Sequence, residues 1–108
     1  MENAITGYHA HLDASALGLT FEALVFVTMG YEDRETIAAF EQQLAGIPHV
    51  LSAQRLFGDP DYLLRVVARD LPAYRQLYDE QLAALPGVLR LNSTLVMKTV
   101  VEARPLPL

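Results

Sequence analysis

Apolar and polar residues recur with two different periods along the chain, and each period predicts one kind of element. Apolar positions three and four residues apart predict two helices, from Asp33 to about Ala45 and from Leu71 to about Ala84. Asp33 and Asp70 stand where N-caps belong, and Gly46 stands where the first helix would stop. Short apolar runs predict four strands: Ala23 to Met29, Val50 to Phe57, Asp61 to Arg69 and Val88 to Glu102.

The order of these elements occurs twice. The segment from Gln43 to Leu51 is echoed by the segment from Gln81 to Leu89, an offset of 38 residues. Two strand-helix-strand units joined head to tail predict an α+β, ferredoxin-like βαββαβ domain. Its four-stranded antiparallel sheet would carry both helices on one face.

The first strand is apolar on both of its faces. Ala23, Val25 and Val27 alternate with Leu24 and Phe26, so neither face looks like a solvated one. Because the helices can cover only one side of the sheet, the other side needs a second sheet or subunit. We therefore expect the protein to form a homodimer through its sheet.

Length, charge and composition exclude several classes of function. At 108 residues the chain is one domain, and its formal net charge of −5 disfavours direct binding to a nucleic-acid backbone. The absence of cysteine excludes a disulfide framework, a thiolate metal site and a cysteine nucleophile. No stretch approaches the roughly 18 apolar residues of a membrane span, so we expect a cytoplasmic protein without membrane contact.

One loop is a candidate ligand site. Gly58, Asp59, Pro60 and Asp61 connect the second and third strands, and these residue types are also what a tight turn requires. A functional interpretation adds that two carboxylates beside free backbone N–H groups suit the ammonium and carboxylate of a zwitterion. Taken alone, the loop favours turn chemistry.

Two other groups of polar residues also have both a structural and a functional interpretation. Asn92, Ser93 and Thr94 interrupt the apolar fourth strand, which is ordinary for an exposed face, although hydroxyls on a strand are rigid donors to a carboxylate. The histidines are His9, His11 and His49. His9 and His11 share a strand face but lack a convincing third ligand, so we expect structural roles and no metal. No cofactor and no catalytic constellation are indicated, so we do not expect an enzyme.

Several segments, taken in order, resemble the effector domain of Lrp/AsnC-family transcriptional regulators, also called the RAM domain. The most specific is the run of Gly58, Asp59, Asp61, Tyr62, Leu63 and Leu64. The supporting segments are Ile5 to Asp13, Leu17-Gly18, Leu85 to Val88 and Ser93-Thr94.

This resemblance implies a function. The family's domain dimerises through its sheets, often assembles into a ring of four dimers, and binds an amino acid or related small molecule between dimers. On that pattern Gly58, Asp59 and Asp61 would form the effector loop, and Ser93 and Thr94 would face the ligand. Contact with DNA would require a helix-turn-helix domain that this chain has no room for.

The resemblance also divides the chain. Residues 1–19 would be a linker strand and short turn from a DNA-binding domain, and residues 20–108 the RAM domain. The chain would then be a stand-alone effector domain or a fragment of a longer regulator. Two alternatives stay open: an assembly module without a ligand, and a dimeric α/β-barrel enzyme acting on a small molecule.

Overall fold

The computed structural model describes residues 18–107, and these form a four-stranded antiparallel sheet with two helices. The elements are β1 (Phe21–Met29), α1 (Arg34–Ala45), β2 (Val50–Arg55), β3 (Tyr62–Ala68), α2 (Leu71–Leu77) and β4 (Val88–Leu95). The strand order β2-β3-β1-β4 places β1 and β3 at the centre. This arrangement confirms the α+β, ferredoxin-like prediction. Most of the predicted linker, residues 1–17, lies outside the described residues.

The core lies between the helices and one face of the sheet. Ala23, Val25 and Val27 of β1 are fully buried on this face, and the register pairs them with Val66, Leu64 and Tyr62 of β3. From the helices, the buried side chains are Phe40, Leu44, Tyr74, Leu77 and Leu82. Phe40 packs against Tyr62 in a tilted arrangement with ring centroids 4.6 Å apart.

Both helices begin at the predicted caps. The Asp33 side chain accepts a hydrogen bond from the Thr36 amide at 3.1 Å, and the Asp70 side chain accepts one from the Ala73 amide at 2.9 Å. These bonds satisfy amides that the first turn of a helix leaves unpaired. Gly46 is the C-cap of α1, as predicted.

The second helix extends close to its predicted end near Ala84, but it is not α-helical throughout. α2 ends at Leu77, and residues 78–82 form a π-helical turn in which the Ala83 amide donates to the Tyr78 carbonyl at 2.8 Å. Leu77 and Leu82 are five residues apart, and both are buried. The wider i to i+5 turn brings Leu82 to the core, where an α-helical turn would have presented Gln81.

The fourth strand is also shorter than predicted. β4 ends at Leu95 rather than Glu102, and a single further hydrogen bond joins the Val96 amide to the Glu22 carbonyl at 2.9 Å. The register pairs Leu95 with Ala23, and β1 begins at Phe21, so β1 has only two residues left to pair and cannot extend the pairing to Glu102. The apolar residues after Leu95 therefore predict a longer strand than β1 can pair with. β2 and β3 differ from their predicted bounds by one or two residues.

The second face of the sheet carries apolar side chains that the helices do not cover. Leu24, Phe26 and Leu63 are each partly exposed on it. Glu22 and Arg65 form an ion pair on the same face. A mixed face of this kind is typical of a surface that packs against a partner.

Candidate functional site

The loop between β2 and β3 is closed by backbone bonds and by one special backbone conformation. The Leu56 amide donates to the Asp61 carbonyl at 2.8 Å, which brings the two strand ends together. Gly58 adopts a φ of +140°, which side chains disfavour, and open space surrounds the position where a Cβ would stand. The peptide between Asp59 and Pro60 is cis. Glycine is therefore required here by conformation rather than by crowding.

Asp61 ties this loop to the end of β1. Its Oδ2 atom accepts a hydrogen bond from the Met29 amide at 2.8 Å, and its own amide donates to the Val27 carbonyl at 2.8 Å. Within residues 18–107 the Oδ1 atom has no hydrogen-bond partner. Asp61 thus has a structural role that uses only one of its two carboxylate oxygens among the described residues. Asp59 is exposed beside it.

Asp61 lines a small cleft of about 180 Å³ that contains charges of both signs. Two carboxylates, one guanidinium and several apolar side chains meet there. The lining residues are Met29, Glu32, Ile37, Arg55, Leu56, Asp61 and Tyr62. Such a set can accept an ammonium group, a carboxylate and an apolar side chain together.

A polar cluster that the sequence analysis missed borders this cleft. The Glu41 Oε2 atom accepts hydrogen bonds from Arg55 Nη2 at 2.5 Å, from Arg55 Nε at 3.0 Å and from the Tyr62 hydroxyl at 2.6 Å. Arg55 also lies over the Tyr62 ring, 6.0 Å from its centroid. Since Arg55 and Tyr62 are register partners across the β2–β3 hairpin, a correct hairpin alignment would have paired them.

These contacts shift the ionisation of all three groups. The Tyr62 hydroxyl, and next the Arg55 guanidinium, lower the pKa of the Glu41 carboxyl. Burial, followed by the bond to Glu41, raises the pKa of Tyr62. The bond to Glu41 raises the pKa of Arg55. Glu41 and Arg55 are therefore a charged pair at neutral pH, although their side chains remain 42% and 60% exposed.

A second and larger cleft lies on the other side of this cluster. Its volume is about 610 Å³, and it runs between α1 and the exposed edge strand β2. Leu44, Val50 and Leu51 form apolar parts of its wall, and Glu41, Arg55 and Tyr62 line it as well. Arg55 and Tyr62 consequently belong to both clefts.

The predicted hydroxyl pair is split between the two faces of the sheet. Ser93 pairs with the buried Val25, and its hydroxyl lies 2.6 Å from the Tyr74 hydroxyl on the helix side. Thr94 pairs with Leu24 and therefore lies on the uncovered side. From one strand, a single ligand can contact only one of the two hydroxyls directly.

Within one chain the structure does not bring the loop and the hydroxyl pair together. In the sheet, Asp61 at the start of β3 is separated from Ser93 of β4 by the intervening strand β1, and the register offsets the two residues by three positions along the strands. Strand spacings then put their Cα atoms roughly 14 Å apart. Ser93 instead lines a third cleft of about 360 Å³ with Tyr74, Tyr78 and Leu95. Burial raises the pKa of Tyr74, and the bond to Ser93 opposes this shift.

His9 and His11 lie outside the described residues. The backbone of His49 joins the sheet, because its carbonyl accepts from the Val67 amide at 3.0 Å. Its Nδ1 atom is buried and has no hydrogen-bond partner in the described part of the chain. Among residues 18–107, no three metal-binding side chains are grouped as a metal site would require. No helix in that same range is long and apolar enough to span a membrane.

Comparison with known proteins relates this chain to a family of regulators. The family model described as the Lrp/AsnC ligand binding domain matches residues 22–106. The Bkd operon transcriptional regulator of Pseudomonas aeruginosa is 35% identical over 99% of this chain and 70% of its own length. The proline dehydrogenase transcriptional activator of Rhodobacter capsulatus is 36% identical over 91% of this chain and 64% of its own length.

Solved structures agree in fold. An AsnC family transcriptional regulator from Agrobacterium tumefaciens superposes with a TM-score of 0.79 at 26% identity. A transcriptional regulator from Neisseria meningitidis in complex with L-Met superposes with a TM-score of 0.80 at 25% identity. Each match covers 88% of this chain but 61% of the solved chain. The chain thus spans somewhat under two thirds of these solved regulators.

Proposed function

Since the chain belongs to the Lrp/AsnC family of transcriptional regulators, whose ligand-binding domain it carries, we propose that this domain binds an amino acid and associates with further copies of itself. The observation that carries the proposal is the cleft at Asp61. Its carboxylates and guanidinium match the two charged ends of an α-amino acid, and its apolar residues match a side chain. The relatives named above are transcriptional regulators, which argues against the enzyme alternative.

In the proposed site, the loop of Gly58, Asp59 and Asp61 contacts the effector's ammonium group. The Oδ1 atom of Asp61, which no residue from 18 to 107 bonds, is the acceptor, while its Oδ2 atom keeps the bond to Met29. A hydroxyl of Ser93 or Thr94 would come from a neighbouring copy, because the same chain holds it too far away. The L-Met bound to the regulator from Neisseria meningitidis supports an amino-acid effector.

The proposed self-association uses two apolar regions, the uncovered face of the sheet and the exposed side chain of Phe57. Leu24, Phe26 and Leu63 on the uncovered sheet face would form the homodimer interface. Phe57, fully exposed beside the effector loop, would contact a copy in the next dimer and so close the site. The higher assembly we propose is a ring of four dimers. Contact with DNA would come only through a separate helix-turn-helix domain, in the cytoplasm where such regulators act.

A thermal-shift screen of the twenty common amino acids tests the binding proposal. A ligand that binds only the folded protein stabilises it by mass action and so raises its melting temperature. At a ligand concentration one hundred times the Kd, the free energy of unfolding rises by about 2.7 kcal/mol. We expect one amino acid or a small group of similar ones to do so. If none stabilises the protein at millimolar concentration, the domain is an assembly module without an amino-acid ligand.

Light scattering tests the assembly proposal. We expect the wild type to be a dimer or larger, and Phe26→Asp to be a monomer because a carboxylate would be buried between two sheets. Phe57→Asp should leave the dimer intact and abolish the higher assembly. A monomeric wild type at micromolar concentration would contradict the proposal.

A further inference from the structure

We propose that Arg55 is the residue that recognises the effector's carboxylate, and that it exchanges Glu41 for the ligand when the effector binds. This inference rests on the proposed amino-acid function and adds to it a residue outside the predicted effector loop. It also gives the effector class: a zwitterionic α-amino acid with a free carboxylate and a side chain that carries no negative charge.

The position of Arg55 supports the first part. Arg55 is the last residue of β2 and lines the same cleft as Asp61, so one cleft contains a cation and an acceptor for an ammonium group. Its guanidinium has the fork geometry that binds a carboxylate through two parallel hydrogen bonds. A hydroxyl from a neighbouring copy could add a further bond, but it supplies no compensating charge.

The present partner of Arg55 is one that a ligand can replace. The Nε and Nη2 atoms of Arg55 both donate to the same Glu41 oxygen, so the two parallel N–H groups on this edge of the guanidinium share one acceptor instead of meeting two. The pair is largely exposed, and exposed pairs are weak. Glu41 would not be left unpaired by the exchange, because the Tyr62 hydroxyl still donates to it at 2.6 Å.

The remaining cleft residues define the selectivity. Ile37, Leu56 and Met29 offer apolar contact to a side chain. Glu32 and Asp61 would repel an acidic one. The cleft volume of about 180 Å³ suits a small or medium apolar side chain. The predicted order of affinity therefore places aspartate and glutamate last.

The test combines a change in the protein with a change in the ligand. The probes are the amino acid that gives the largest thermal shift in the screen and its methyl ester, which keeps the ammonium and loses the carboxylate charge. Calorimetry should show that the wild type prefers the free acid by roughly ten- to a hundred-fold. Arg55→Met should lose most of this preference and bind the two probes about equally.

Two further variants separate this role from a general loss of charge or fold. Arg69→Met removes an exposed arginine just beyond the end of β3 and should keep the wild-type preference. Glu41→Gln removes the competitor and should tighten binding of the free acid, by about five-fold at most. Circular dichroism should show that all three variants are folded.

The failures of the two proposals are distinguishable. If no amino acid binds the wild type, the proposed function is wrong and this inference falls with it. If the wild type prefers the free acid and folded Arg55→Met keeps that preference, the amino-acid function stands and Arg55 is not the carboxylate partner. Weaker binding by Glu41→Gln would equally overturn the exchange with Glu41.

Discussion

Replacing Asp61 separates its structural role from its proposed ligand role. Asp61→Ala removes the acceptor of the Met29 amide, a part-buried bond of 2.8 Å to a carboxylate. A hydrogen bond to a charged group is worth about 1.5–3 kcal/mol. We therefore expect Asp61→Ala to lower the free energy of unfolding by about that amount, even without effector.

Asp61→Asn is the matched control. The amide oxygen of asparagine can still accept the Met29 amide, so its cost to stability should be below about 1.5 kcal/mol, the range for neutral hydrogen bonds. The effector's ammonium group loses its charged acceptor in both variants. Both should therefore bind the effector more weakly, by a similar factor of roughly ten or more.

Urea unfolding and calorimetry on the same samples measure the two effects. Protein concentration must be equal throughout, because the stability of an oligomer depends on it. The reasoning is refuted if Asp61→Ala and Asp61→Asn are equally stable, since the bond to Met29 would then contribute nothing. Wild-type affinity in both variants would move the ammonium site away from Asp61.

Three further predictions concern stability. Gly87→Ala should lower the free energy of unfolding by at least about 2 kcal/mol, because Gly87 has a φ of +78° and an added Cβ would lie 2.3 Å from the Thr36 Cγ2 atom. Gly58→Ala introduces backbone strain without a clash, so urea unfolding should show a smaller loss. Tyr74→Phe and Ser93→Ala should each lower the free energy of unfolding by about 1 kcal/mol, since each removes the same 2.6 Å hydrogen bond. Their effects should therefore be non-additive in a double-mutant cycle, and additive effects would contradict this. Folding lowers the pKa of Glu41 below its ordinary value of 4.5, so its contribution to stability is present above that ordinary value and is lost as the pH falls through the lower folded pKa. Glu41→Gln should therefore lose less stability in acid than the wild type, and identical pH profiles would count against the cluster.

The local features of the fold could be predicted because their causes are local. Asp33 and Asp70 cap helices through an amide three residues away, and Gly46 ends a helix through its own backbone. Alternation of apolar residues along β1 was enough to indicate a sheet with two apolar faces. Each of these signals lies within a few consecutive residues.

Most of the features that the sequence did not predict depend on partners distant in sequence. The start of β1 limits how far β4 can pair, and the π-helical turn brings Leu82 to the core. The contact of Arg55 with Glu41 joins a strand to a helix, and needs the register of the β2–β3 hairpin to be known. Ser93 and Thr94 differ from these features, because the resemblance predicts that both face a ligand, whereas adjacent residues of a strand lie on opposite faces.

A crystal structure with the amino acid that gives the largest thermal shift is the most direct test of the proposed effector site. We expect the ligand in the cleft beside the Gly58 to Asp61 loop, with its ammonium group within hydrogen-bond distance of Asp61 Oδ1 and its carboxylate on Arg55. A hydroxyl of Ser93 or Thr94 from a neighbouring copy should complete the site. A ligand seated instead in the 360 Å³ cleft of Tyr74 and Tyr78, or in the 610 Å³ cleft along β2, would contradict the account.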